Sequence, residues 1–335
     1  MKTKFLVTLF LLSYGLSAFS TVFLANDERK VTTDNQGISG SITSLRTFKP
    51  KKNVAHNEDV NFKAALLAIS KSTIITNSLG ANTPFYNLNF SGNIDITPGG
   101  NKFWDLEANA QVIDKMNGAQ KIDTQASMNF KDGTYSKTMT LSILGQEIAA
   151  NEYFYLTGDQ LYAKGMSIAA QTVSGSGITI NVPEQEVLYS PSKLICNFPL
   201  TYDGSIHTAP QYSRTIKATV SGASSLGIPD GTPVSYVLSL NDTYKVLSWG
   251  GLRLIDNEKP VNALLVQSDS KTVGTILING EKAPQQVLTS LKLTQDATSF
   301  VTTYSFRNMT YPDNIAEFGL NGTTVTYLNT IKTVK

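Results

Sequence analysis

Asp203, Ser205 and His207 fall within five residues of one another. They are the three residue types of a hydrolytic triad. On an extended chain, however, i, i+2 spacing sets neighbouring side chains about 6–7 Å apart. Direct proton transfer needs donor and acceptor ~2.6–3.2 Å apart. No G-x-S-x-G elbow occurs to present a serine nucleophile. The segment therefore reads as a polar loop. Cys196 lies in the apolar run Leu194-Ile195-Cys196. A reactive thiol needs a cation or a helix N-terminus beside it, so Cys196 reads as a small buried hydrophobe.

Trp104-Asp105-Leu106-Glu107 has the makings of a sugar-cleaving pair, two carboxylates beside an aromatic platform. On a strand Asp105 and Glu107 share one face. That face reads as a solvent-facing stripe, and these residues are the first place to look for an unrecognised carboxylate enzyme. Metal chemistry finds little support. His56 and His207 are not spaced for zinc, and the D-x-[DN]-x-[DN]-G calcium pattern is absent. Val173-Ser174-Gly175-Ser176-Gly177 reads as a flexible turn, with no Lys to complete a phosphate cradle. The expectation is no catalytic residue, no cofactor and no metal.

Composition points the same way. Among 335 residues, 28 Lys and Arg stand against 26 Asp and Glu. A net charge of +2 offers no field for gripping a phosphate backbone, so no nucleic-acid partner is expected. A hydrophobic share of 41% is too high for a disordered chain. One Cys rules out an internal disulfide framework. The length suits one large domain or two small ones.

The elements that must position any site begin after a leader. Lys2 and Lys4 precede a mostly apolar run over 5–19, and Ala18 and Ser20 satisfy the small-residue rule for cleavage after Ser20. The run falls short of the ~20 residues that a membrane-spanning helix needs. Residues 1–20 are thus expected to be a signal peptide, with no transmembrane helix in the mature chain. Residues 21–60 read as a polar spacer carrying Arg29, Lys30, Arg46, Lys49, Lys51 and Lys52. One short N-terminal helix is suggested by Phe62, Leu66 and Ile69 on a common face, with Asn61 as cap.

From Phe85 onward the period changes to two. Met139, Leu141 and Ile143 alternate with polar residues, as do Ile216, Ala218 and Val220, and Val234, Tyr236, Leu238 and Leu240. Phe300, Tyr304 and Phe306 follow suit, as do Val325, Tyr327 and Ile331 around Asn329, and Val287, Leu291 and Leu293 around Thr289. Such alternation hides one face and wets the other. Turn pairs separate the runs at Asp132-Gly133, Gly158-Asp159, Asp203-Gly204, Asp230-Gly231, Asn279-Gly280 and Asn321-Gly322. Their spacing is too short for intervening helices in most of the chain. The expected fold class is all-β, with antiparallel sheets in a sandwich or a curved half-barrel, over residues 61–335. The stretch 183–191 reads either as a joint between two subdomains or as a long loop within one. A chain ending in Val334-Lys335 rather than an aromatic argues against an outer-membrane barrel.

One block has a further reading. Phe198-Pro199-Leu200-Thr201-Tyr202-Asp203-Gly204-Ser205, followed by Leu226, Pro229, Gly231, Val237 and Leu238, resembles a pattern in uncharacterised secreted proteins of the Bacteroidota. Asp203 stands where those proteins carry Gly directly after Tyr. The resemblance implies export and β structure and assigns no catalytic residue. Read on its own, the block places Phe198, Leu200 and Tyr202 on one face, for packing or for a ligand. Pro199 marks a strand start or an edge.

The functional expectation is an exported, non-enzymatic β protein. It would act by binding or as an envelope or extracellular component, located outside the cell, at its surface or in the periplasm. A glycan, an envelope protein or a lipid is the expected kind of partner. A second reading is a periplasmic carrier of a lipid or other apolar ligand, its concave face lined by Phe300, Tyr304, Phe306, Val325 and Tyr327.

Overall fold

The computed structural model describes residues 84–331, apart from 118, 121–128, 144–145, 176, 257–258, 291–294 and 309–312. The leader, the spacer and the helix expected near residue 62 lie outside the described residues. Eighteen strands are described. In chain order they open with β1 (Pro84–Phe90), β2 (Gly99–Asp105), β3 (Ala110–Asn117), β4 (Ala119–Gln120), β5 (Tyr135–Ile143) and β6 (Gln146–Thr157). Next come β7 (Gln160–Ile168), β8 (Gln171–Gly175), β9 (Ile178–Val182), β10 (Gln185–Asn197), β11 (His207–Thr208) and β12 (Tyr212–Ser221). The long strands β13 (Thr232–Arg253) and β14 (Val261–Ile278) precede β15 (Glu281–Lys282), β16 (Ala297–Arg307), β17 (Ala316–Asn321) and β18 (Thr324–Ile331). A short helix α1 (Gln285–Ser290) lies between β15 and β16. The chain is nearly all β, as its alternation implies.

The strands pair into a larger and a smaller group. In the larger, β3 pairs β1, β1 pairs β18, and the ladder continues through β17, β16 and β14 to β13. The first half of β13 then pairs β12, which pairs β9, and β9 pairs β8. The smaller group runs β4, β5, β6, β7, β10. At Ser190, β10 also meets Ser213 of β12, so this strand joins the two groups. The sheet is large, predominantly antiparallel and not closed.

Turn chemistry works where the sequence placed it. Asn279 and Gly280 adopt φ of 52° and 86° and connect β14 to β15, a reversal that Asn-Gly tolerates and most residues do not. Gly158, Gly204, Gly231 and Gly322 likewise take positive φ. The five-residue stretch from Val173 is not all turn: its first three residues end β8, and Gly177 turns the chain into β9.

Two features depart from the sequence reading. The end of β13 pairs β2 in parallel, with Gly250 opposite Lys102. Contact this close needs glycine, because a Cβ on Gly250 would lie 2.0 Å from the Lys102 carbonyl oxygen. Gly100 is constrained too, since its Cβ would strike the Trp249 indole at 2.5 Å. The second departure is 285–290, where alternation through Val287 and Thr289 suggested a strand. It is helix α1. The Leu288 N–H donates to the Pro284 carbonyl, and Val287 is buried with Val220, Ala223 and Ile228. One apolar contact onto the sheet satisfies this short helix, so a period read over a few residues misassigns it.

Both groups share one core. Phe154 and Met166 of the smaller group belong to the same buried cluster as Leu240, Val246 and Leu328 of the larger. Tyr135 and Phe154 stack at 4.6 Å, and Trp104 meets Phe306 edge-on at 4.9 Å. Each such side chain contributes roughly 1.5–3 kcal/mol on burial. The stretch expected to be a joint or loop is, from Gln185, part of β10.

Candidate functional site

Charge is buried where β6, β10, β12 and β13 come together. Arg214 follows Tyr212 and precedes Ile216 at two-residue spacing on β12, so it takes a core-facing position. Asp242 stands in the same relation to Leu240 and Tyr244 on β13, and Glu152 to Ala150 and Phe154 on β6. Lys193 of β10 alternates with Ile195. Each interrupts an apolar row, and together they supply two cations and two anions.

The groups form a connected chain. The Arg214 guanidinium donates to the Tyr189 hydroxyl at 3.3 Å, and that hydroxyl donates to Glu152 Oε1 at 2.8 Å. Lys193 Nζ lies 4.0 Å from Glu152 Oε1 and 4.0 Å from Asp242 Oδ2. Tyr212 donates to Asp242 Oδ2 at 3.3 Å and Ser270 to Oδ1 at 2.6 Å. Burial, then the Glu152 carboxylate, holds the Tyr189 phenol well above its usual range. Burial, then Asp242, does the same for Tyr212. Both phenols therefore stay neutral donors at physiological pH.

One end of this chain reaches solvent at a recess with a free volume of about 30 Å³, bordered by Lys193, Asp242, Tyr244, Ser268, Ser270 and Thr303. The Lys193 side chain is 7% exposed and that of Asp242 15%. A space of this size admits a water or one small polar group.

Asp203 Oδ1 accepts the Ser205 backbone N–H at 2.8 Å, while His207 Nε2 lies 3.8 Å from Asp203 Oδ2 and its ring stacks on Tyr244 at 4.7 Å. The carboxylate thus orders a loop, and no hydrogen bond between Ser205 and His207 occurs among the described residues. Trp104 is buried and donates to the Asp95 carbonyl at 2.8 Å, so it is no exposed platform. Asp105 ends β2, and Glu107 lies in the turn beyond it rather than on the same strand face. Arg253 bridges the two, at 3.3 Å from Asp105 and 2.5 Å from Glu107.

Phe198 and Leu200 are buried in the main core, and Tyr202 packs on it half-buried. They follow β10 in an irregular segment with a cis Phe198–Pro199 peptide, not on a regular strand as their alternation implied. Cys196 is buried, and burial pushes its thiol up against the opposing effect of Arg307. Among the described residues no group of three or more His, Cys, Asp or Glu is placed to hold a metal. No helix among them is long and apolar enough to cross a membrane.

Buried Glu152, Lys193 and Arg214 and part-buried Asp242 escaped the sequence reading, although a signal was present: one charged residue within an otherwise apolar alternating row. No family model, curated protein or solved structure matches the chain.

Proposed function

We propose that the chain is an exported β protein that acts by binding, outside the cell or within the envelope, and not by catalysis. The recess at Lys193 carries this reading. Its free volume of about 30 Å³ matches one polar group, and its border combines an ammonium, a carboxylate and hydroxyls that can hydrogen-bond to such a group. The Asp242 carboxylate receives hydroxyls on both oxygens, so it is oriented by the fold for recognition. Export is supported by Lys2, Lys4, the apolar run and the small residues at 18 and 20.

The packing weighs against an apolar carrier. Of the side chains considered for its lining, Phe306 is fully buried against Trp104 and Phe318, Tyr304 stacks on Phe318, and Phe300 faces solvent. They do not form one open face. A glycan array combined with pull-down on the whole chain tests the proposal. Binding without turnover is the expected result, and sustained hydrolysis of polysaccharide, peptide or ester substrates would overturn it.

A further inference from the structure

The floor of the recess is built from hydroxyls in register. Asp242 pairs with Ser270 and Tyr244 with Ser268 across β13 and β14, and Ser268 pairs with Thr303 across β14 and β16. Directly paired residues project from the same face of a sheet. Tyr244, Ser268 and Thr303 thus form one row, with Asp242 and Ser270 in the row beside it. Along β14 this face changes character, from Leu264 and Val266 to Ser268, Ser270 and Thr272. Lys193 closes the recess from β10. Its side chain is only 7% exposed, yet both of its carboxylate neighbours stand at 4.0 Å, beyond hydrogen-bond distance.

This arrangement selects by charge. An anion drawn to Lys193 would also meet Asp242 and Asp269, which border the recess with it, and a cation drawn to Asp242 would meet Lys193. A neutral hydroxyl does better. It can accept from the ammonium, donate to a remaining carboxylate lone pair, and exchange hydrogen bonds with Ser268 and Thr303. The free volume suits one such group, with the rest of the ligand outside. We propose that the recess receives a hydroxyl-bearing end group of a neutral glycan. This rests on the binding reading above and names its ligand class and site.

The test is calorimetric titration of the whole chain with neutral hexasaccharides of glucose, mannose and galactose, beside an oligogalacturonate and an oligomer of chitosan. At least one neutral ligand is expected to bind. Ser268→Leu, which fills the recess without changing its charge, is expected to weaken that binding at least tenfold. Thr303→Val removes one hydroxyl at nearly constant shape and is expected to weaken it several-fold with an unchanged melting temperature. Neutral-glycan binding that survives both substitutions would overturn the site while leaving the binding function standing. Preference for the acidic or cationic oligomer, or no glycan binding beside capture of a protein partner, would overturn the ligand class. Turnover of any oligosaccharide would remove the underlying reading itself.

Discussion

Lys137 Nζ lies 2.9 Å from Asp313 Oδ2, with both side chains sealed from solvent at 3% and 1% exposure. Lys137 sits on β5 of the smaller strand group, and Asp313 lies three residues before the start of β17 of the larger. Glu317 stands 3.9 Å from the same ammonium, and Asn314 donates to its carboxylate at 3.1 Å. A buried ion pair fixes the two groups' mutual position in addition to packing, because a slip would leave a charge unpaired in the interior. Asp313→Asn keeps the shape and strands part of the charge. It is expected to lower unfolding stability by about 3–5 kcal/mol, the usual cost of breaking a buried pair from one side. Urea titration of the variant checks this, and a loss near zero would show that Glu317 alone can hold the lysine.

Arg253 explains why the carboxylate pair suggested by sequence does not need to be a reaction centre. It contacts both Asp105 and Glu107, and at 38% exposure its ion pairs are screened by water. Glu107→Gln is expected to change stability by less than about 1 kcal/mol. It should also leave glycan binding unchanged. A clear loss of binding would move the site from the Lys193 recess to this edge.

The strands were legible because Leu238 and Leu240 stand two residues apart and are buried, as is Ile216 within its own alternating run, and because Asn279-Gly280 can make only a few kinds of turn. Helix α1 was not legible, because Val287 and Leu288 need only one turn of helix to cover a patch of sheet. The parallel pairing of β2 with β13 joins positions far apart in sequence, and only Gly100 and Gly250 hint at it locally. The recess was hardest to see. Lys193, Glu152, Arg214 and Asp242 come from four strands, and their mutual neutralisation exists only after those strands pair. An inward-facing charge in each row was visible, but its partner was not.

Gly250 offers a direct test of the parallel pairing. An added methyl would meet the Lys102 backbone, which cannot swing aside as a side-chain tip can. Gly250→Ala is expected to cost ~1–3 kcal/mol, in line with other overpacking substitutions. The loss should localise to amide-exchange protection over 99–105. Unaltered protection there would mean that β2 is held by contacts other than its ladder with β13.

Cys196 should be chemically quiet. Its thiol is buried and its pKa is raised, chiefly by that burial, so little thiolate is present or accessible. Reaction with an aromatic disulfide reagent is expected to be slow in buffer and complete in urea. Rapid modification of the folded protein would show that β10 opens readily, which would also bear on Lys193 three residues before it.

Alkaline pH should expose the energetic weight of the buried network, and the direction is fixed by linkage. Burial alone would lower the Lys137 pKa, but the carboxylates of Asp313 and Glu317 outweigh it and raise the value above the ordinary 10.5. Tyr189 and Tyr212 are likewise held well above 10.0, first by burial and then by Glu152 and Asp242. In all three cases the folded chain keeps a proton that the unfolded chain releases. The contribution is therefore complete below about pH 10 and is lost as pH rises towards the folded values. Stability measured by urea is expected to be level with respect to these groups up to about pH 10 and to fall above it. Phenolate absorbance from Tyr189 and Tyr212 should appear only as the fold is lost. If all the tyrosines instead titrate near their ordinary value while the β signal persists, the phenols are not sealed in the network. The orientation of Glu152 and Asp242 around Lys193 would then need another cause.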